Sequence, residues 1–234
     1  MKVEGSVVFI TGANRGLGLE LAKQALARGA AKVYAGARDP ASVTLPGVTA
    51  VQLDVTKPEQ VEAAARQCGD VTLLVNNAGI GRLGGLLTDG ATAVLREQLE
   101  TNLIGVLNVS QAFAGILGRN GGGAIVNMLS ILSWANTPLI AGYGVSKAAA
   151  WALTNGLRHE LRAQGTQVLG FHAGYIDTDM IRQFDVPKAR PEDVIRTTLD
   201  ALEAGAEEVL VDEPTRQVRQ GLSGGVYLRD VLAG

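Results

Sequence analysis

Short runs rich in Val, Ile and Leu recur along the chain at residues 7–10, 32–35, 48–53, 71–75, 124–128 and 167–171. They lack the polar alternation of half-exposed strands and are too short for ordinary helices, so they predict strands buried on both faces. Between them, at 17–27, 58–66, 91–117 and 145–163, the chain has helical patterning. Strand and helix in alternation predict an α/β chain with a parallel sheet covered by helices on both faces, as one domain over residues 1–234. The segments 91–117 and 145–163 are apolar on more than one side. A helix of that kind buries a second face, so the pair is expected to pack against its copy in a homodimer or homotetramer, a thick core within the single chain being the alternative.

Composition narrows the classes of function. With 47% hydrophobic and 19% charged residues, disordered and fibrous classes drop out. A net charge of −2 provides no basic field for nucleic acid or anionic lipid, so neither is expected as a partner. The single cysteine, Cys68, cannot form an intrachain disulfide, and the segment MKVEGSVVFITG lacks a signal-peptide pattern. A cytoplasmic location is the expectation. No uninterrupted apolar run reaches membrane-spanning length, and no metal site is assigned.

The chemistry begins at TGANRGLG, residues 11–18, between the first strand and the first helix. Gly12, Gly16 and Gly18 let the backbone turn tightly and approach a pyrophosphate, while the helix N-terminus presents unpaired N–H groups. A carboxylate at the end of the second strand would favour NAD(H); here Ala37 stands at about that place and Arg38 follows. Arg38, with Arg15 from the glycine turn, suits a 2′-phosphate and predicts NADP(H). Asp39, just before Pro40, is expected to cap a turn.

In YGVSK, Tyr143 and Lys147 stand four residues apart and share one helix face. An ammonium about 4 Å from a phenol, at an effective dielectric of ~20, favours the phenolate by roughly 4 kcal/mol, or about three pKa units. From that spacing alone, a surface tyrosine beside a solvated lysine is the favoured reading.

TGANRGLG, NNAG at 76–79, TN ending at Asn102, NMLSILS containing Ser130, and YGVSK occur in that order. The set resembles the short-chain dehydrogenase/reductase family, the tyrosine-dependent oxidoreductases, over about residues 5–178. The resemblance implies a Rossmann-type, doubly wound, three-layer α/β/α fold and a ketone- or aldehyde-reducing, or alcohol-oxidising, enzyme. It implies Tyr143 as general acid or base, Ser130 as hydrogen-bond partner of the substrate oxygen, Lys147 on the nicotinamide ribose, and Asn102 positioning a relay water. By the same resemblance Asn14, Leu17, Asp54, Val55, Asn77, Ala78, Gly79, Gly174, Ile176 and Thr178 join the glycine turn in holding the cofactor. Asn76 and Asn77 read equally well as structural residues that bond neighbouring strands. One departure stands out: the family's usual Pro-Gly before the threonine is Ala173-Gly174 here. His172 and His159 read as structural.

Ser130, Tyr143, Trp134, Met180 and Phe184 are expected to contact the substrate, with a short lid at 178–190 that leaves the mouth open to bulky apolar ketones. A hydroxysteroid, a sugar or an acyl-carrier-bound ketone remains an alternative substrate. A non-catalytic NADP(H) sensor on the same scaffold is a different class, disfavoured by the presence of Ser130, Tyr143 and Lys147 together.

Overall fold

The computed structural model describes residues 1–182 and 185–231, apart from the Met180 side chain. The expected substrate contacts of Met180 and Phe184 therefore lie outside the described residues. In chain order the regular elements are β1 (Val7–Thr11), α1 (Gly16–Ala27), β2 (Lys32–Ala37), β3 (Thr49–Gln52), α2 (Pro58–Gln67) and β4 (Leu73–Asn76). There follow α3 (Ala91–Leu99), α4 (Gly105–Arg119), β5 (Ala124–Met128), α5 (Ala141–Glu160), β6 (Gln167–His172), α6 (Pro191–Glu203), β7 (Glu208–Leu210) and α7 (Glu213–Gly221).

All seven strands run parallel, in the order β3-β2-β1-β4-β5-β6-β7. Because successive residues of a strand point to opposite faces, each strand feeds two cores. Val8 and Ile10 of β1 pack with α1 and α6, while Phe9 packs with residues of α2, α4 and α5. The rings of Phe9 and Phe113 stand 4.8 Å apart, centroid to centroid, at the centre of that second layer. This is the expected doubly wound α/β/α sandwich. From β1 the chain winds outward through β2 to β3, then returns to place β4 on the other side of β1. A crevice opens at such a reversal beyond the carboxyl ends of the strands, which is where ligands of this architecture bind.

The segment 91–117 is one continuous helix, Ala91–Arg119, interrupted by a π-helical turn at Glu100–Ile104. By length and composition it is the one helix among the described residues able to cross a membrane, although polar residues such as Asn102, Asn108 and Gln111 interrupt its apolar positions. Its Val109, Phe113, Ile116 and Leu117 lie in the core against the sheet. A helix of this kind is equally the core helix of a soluble protein. The next long helix starts at Ala141 rather than 145, which brings Tyr143 into its first turn.

Three elements, α6, β7 and α7, lie outside the runs and helical patterns read from the sequence. β7 has three residues, and α7 contributes only Thr215 and Val218 as buried side chains, so neither repeats often enough to reveal a period. Together with the turn at Ile131–Ser133, α7 closes a small third core around Ile131, Leu132, Ala135 and Val218.

Candidate active site

The turn after β1 owes its shape to its glycines. Gly12 and Gly16 have φ of 67° and 55°, the left-handed region that side chains avoid. A Cβ on Gly18 would stand 2.2 Å from the Gly12 carbonyl oxygen and 2.5 Å from Asn77 Nδ2, so only glycine fits. The turn is tied to the end of β4 in both directions. Thr11 Oγ1 accepts from the backbone N–H groups of Asn77 and Ala78, both at 2.9 Å, and Asn77 Nδ2 donates to the carbonyls of Thr11 and Gly12. The Asn77 side chain thus shapes the cradle, and Asn76 Nδ2 bonds Ser110 and Asn127 across the sheet, so the structural reading holds for both. Thr11 went unremarked in the sequence, where a threonine before glycine looks like any strand end.

This cradle fits a dinucleotide. The α1 N-terminus has no side-chain cap and no acidic residue in its first turn, leaving its N–H groups to an anion. Arg15, exposed in the turn, has Nη1 4.0 Å from Asp179 Oδ2. Beyond β2, Arg38 is exposed and Ala37 is buried. Asp39 accepts from the Ala41 N–H at 3.0 Å and so caps a turn, as expected. Asp54 Oδ1 accepts from the Thr56 N–H and hydroxyl at 3.0 and 2.7 Å. Burial alone would raise its pKa, but those bonds and the nearby positive charge of Arg38 hold it below the usual carboxylate range. Val55 is buried against Gly105, where an added Cβ would come within 2.6 Å of Val55 Cγ2.

Ser130, Tyr143 and Lys147 meet beyond β5. Ser130 is extended (φ −159°, ψ 161°) and buried, and its Oγ accepts from the Leu132 N–H at 3.1 Å. Tyr143 and Lys147 sit one turn apart on α5. Lys147 is buried; its Nζ donates to the Met128 carbonyl at 2.7 Å and lies 5.6 Å from the centre of the Tyr143 ring. The expected lowering of the phenol by the lysine is not what these positions produce. Burial pushes Tyr143 up to about 12, only partly offset by its hydrogen bond with Ser130. Burial also pushes Lys147 down to about 8. Both charged forms are disfavoured because the pocket has little solvent to stabilise them.

Asn102 occupies the π-helical turn. Its Oδ1 accepts from the Ile80 N–H at 2.8 Å, and its Nδ2 donates to the Ile80 carbonyl at 2.8 Å and to Ser146 Oγ at 2.9 Å. A Cβ on Gly79 would lie 3.2 Å from Asn102 Oδ1 and 3.8 Å from Lys147 Nζ, so Asn102, Gly79 and Lys147 converge on one spot. The π turn re-aims Asn102 toward the loop after β4, a common use of such bulges.

On the far side of the crevice, Thr178 Oγ1 donates to the Ile176 carbonyl at 3.3 Å, and its methyl group would be 3.9 Å from a Cβ on Gly16. The glycine turn and Thr178 therefore face each other. A bridge between Ile176 and Ala189 pinches the base of the loop that separates them. Where proline is missing, Asp212 takes over: its Oδ2 accepts from the Gly174 N–H at 2.7 Å while Oδ1 caps α7 at the Thr215 N–H, 2.9 Å away. The sequence signal for that tether was available in DEPT, an N-cap aspartate followed by proline inside the first turn.

Trp134 is half-buried: its ring stacks on His172 at 4.0 Å, meets Trp151 edge-on at 6.3 Å, lies under Arg219 at 5.3 Å, and packs against the third core. An open cavity of about 520 Å³ lies among Gly84, Thr137, Pro138, Leu139, Tyr175 and Asp230. Thr137 Oγ1 donates to Asp230 Oδ2 at 3.1 Å, joining the C-terminal segment to the loop that precedes Tyr143.

Known proteins resemble this chain in sequence and in fold. The sequence profile of the short chain dehydrogenases matches residues 6–188. Galactitol 2-dehydrogenase (L-tagatose-forming) of Cereibacter sphaeroides is 35% identical over 216 residues, 87% of this chain and 83% of its own. A short chain dehydrogenase from Burkholderia cenocepacia, solved in complex with NADP, superimposes with a TM-score of 0.92 at 41% identity, covering 96% of this chain and 95% of that one. A short chain dehydrogenase/reductase from Burkholderia phymatum, in complex with NAD, gives 0.84 at 25% identity over 95% and 96% of the two chains. The glycine cradle at the sheet's reversal point, followed in order by Asn102, Ser130, Tyr143 and Lys147, and the extent of these matches agree: this chain belongs to the short-chain dehydrogenase/reductase family of oxidoreductases.

Proposed function

We propose that the protein is an NADP(H)-dependent oxidoreductase that interconverts a ketone or aldehyde with an alcohol, using Tyr143 as general acid in reduction and general base in oxidation. The observation that carries this reading is the half-buried Tyr143 phenol, close enough to Ser130 for that hydroxyl to lower its pKa, with the buried Lys147 one turn along the same helix. When bound, the nicotinamide supplies or accepts the hydride. The chain's residues do the rest. The glycine turn and the α1 N-terminus hold the pyrophosphate, with Asn14, Leu17, Asp54, Val55, Ala78 and Gly79 along the adenosine side. Gly174, Ile176 and Thr178 hold the nicotinamide end, and Lys147 faces its ribose.

In reduction, the Ser130 hydroxyl donates to the substrate carbonyl oxygen and stabilises the charge that grows there. Tyr143 then gives up its proton from Oη to that oxygen. A phenol at about 12 is a poor acid toward water at neutral pH, yet an alkoxide is a stronger base than a phenolate, so transfer runs downhill once the alkoxide forms. Lys147 stabilises the phenolate left behind, and the Asn102 side chain orders the route by which the proton is replaced.

Arg38 supports NADP(H) over NAD(H), since it is exposed at the end of β2 with no acid at Ala37 to bond a ribose hydroxyl. The NADP complex of the 41% identical Burkholderia cenocepacia protein points the same way. For the substrate, the cavity beside Thr137, Tyr175 and Asp230 carries polar groups. Similarity to galactitol 2-dehydrogenase favours a second reading, a sugar alcohol or its ketose. The loop at 178–190 serves as a short lid: its described part holds a single turn, Asp179–Ile181. Exposed positions such as Ile104, Gln111, Ala148 and Ala152 on α4, α5 and the adjoining π turn suit a homodimer or homotetramer, and a cytoplasmic enzyme is the matching setting.

NADPH oxidation, followed by its absorbance with aryl ketones, ketoses and steroid ketones, tests the reading. Tyr143→Phe is expected to lower kcat by about a hundredfold or more while NADPH still binds. Wild-type turnover in Tyr143→Phe, or binding without turnover of any carbonyl in the wild type, would refute it, the latter in favour of a sensor.

A further inference from the structure

His172 ends β6 directly behind the catalytic serine and is fully buried. Its Nδ1 lies 3.1 Å from the Ser130 carbonyl oxygen. A carbonyl can only accept, so Nδ1 carries a hydrogen. On the other side of the ring, Nε2 is 3.7 Å from Glu208 Oε1, longer than a hydrogen bond. Trp134 stacks on the ring face at 4.0 Å.

Glu208, on β7, is itself held from three sides. Trp151 Nε1 from α5 donates to its Oε1 at 3.1 Å, and Arg219 Nη2 from α7 reaches its Oε2 at 3.3 Å. The facing His172 ring, the Trp151 bond and the Arg219 charge outweigh burial and lower the Glu208 carboxyl to about 2. The cluster thus joins α5, β6, β7 and α7 behind one backbone carbonyl.

That carbonyl belongs to a residue whose other polar groups are also engaged. The Ser130 N–H donates to Ser133 Oγ at 3.2 Å and its Oγ accepts from the Leu132 N–H at 3.1 Å. The backbone of Ser130 is therefore oriented by its N–H on one side and its carbonyl on the other. Resting on the catalytic role of Ser130 proposed above, we infer that His172 is a positioning residue: its Nδ1–H fixes the Ser130 carbonyl, Glu208 and Trp134 fix the ring, and the hydroxyl of Ser130 is thereby aimed at the substrate oxygen. The C-terminal β7 and α7, remote in sequence from the catalytic residues, become part of the apparatus that sets their geometry.

Three substitutions test this. His172→Phe keeps a flat ring on Trp134 but has no donor; His172→Asn places an amide N–H near the Nδ1 position; His172→Gln places it near Nε2. A misaimed catalytic group costs roughly ten- to a hundredfold in turnover. The expected result is that kcat falls by about that factor in His172→Phe and His172→Gln, is largely recovered in His172→Asn, and that NADPH dissociation, read from its fluorescence, stays within about twofold in all three. A kcat within about twofold of wild type in His172→Phe, or equal losses in the Asn and Gln variants, would overturn the inference. If His172→Phe does not fold, the Asn and Gln pair decides alone. Ser130→Ala is the control that separates the two levels: undiminished turnover there removes the proposed catalysis, whereas loss there with unaffected His172 variants removes only the role of His172.

Discussion

Lys147 should destabilise the protein that uses it, and the size of the cost follows from its surroundings. The ammonium is buried, and burial lowers it from 10.5 to about 8. Below pH 8 the lysine is charged in both the folded and the unfolded chain, and the fold bears the full cost of burying that charge. Between 8 and 10.5 the unfolded chain binds the proton more tightly than the folded one, so stability rises with pH; above 10.5 the cost is gone. At about 1.4 kcal/mol per pH unit, the difference amounts to ~3 kcal/mol. Lys147→Met keeps the stem and removes the charge. It also leaves the Met128 carbonyl without its 2.7 Å donor, at a cost of about 1–3 kcal/mol that does not vary with pH. Urea unfolding of both proteins from pH 7 to 10.5 separates these effects, because every other titrating group is common to the pair. The wild type should gain ~3 kcal/mol on Lys147→Met across that range, while the variant loses turnover at every pH. A stability difference that stays flat with pH would show that the ammonium pays no desolvation cost and would refute the argument.

Two further substitutions probe the cofactor site. Gly18→Ala puts a methyl 2.2 Å from a backbone oxygen that cannot swing aside, so calorimetric titration should show at least about tenfold weaker NADPH binding and urea unfolding a loss of ~1–3 kcal/mol; unchanged values for both would mean the turn can move freely. Arg38→Ala should weaken NADPH by about tenfold or more, the worth of a charge-assisted phosphate bond, and leave NADH within about twofold; equal effects on both would end the case for a 2′-phosphate contact.

The strands and helices that carry the sheet were legible because each presents a repeated pattern: buried runs at β1 to β6 and helical patterns at α1, α2, α4 and α5. The reversal of strand order, and with it the crevice, followed from family resemblance, since no local pattern says which strand will return beside β1. β7 and α7 were not legible because three residues and two buried side chains are too few to form a period. The same blindness hid Asp212, Glu208 and Asp230, whose partners lie 38, 57 and 93 residues away in the chain. The packing of Trp134 was hidden for a related reason. A large aromatic near Ser130 reads as a pocket wall, and its contact with the His172 and Trp151 rings shows only in the fold. The electrostatics of Tyr143 erred through a missing quantity: helical spacing gives the approach of Lys147, but the depth of burial, which outweighs it, belongs to the tertiary structure.

The pinch between Ile176 and Ala189 bears on how such a protein changes over generations. Backbone bonds from Asp177 N–H to the Ala189 carbonyl and from Ala189 N–H to the Tyr175 carbonyl, at 3.0 and 2.8 Å, fix both ends of the intervening loop whatever that loop contains. Once the ends are fixed, closing a longer loop is inexpensive: each doubling of length adds only about 0.6 kcal/mol in chain entropy. Insertions there can lengthen the loop without disturbing the start of α6 beyond it. The molecule thus separates a part held constant from a part that can be exchanged at one fastened joint.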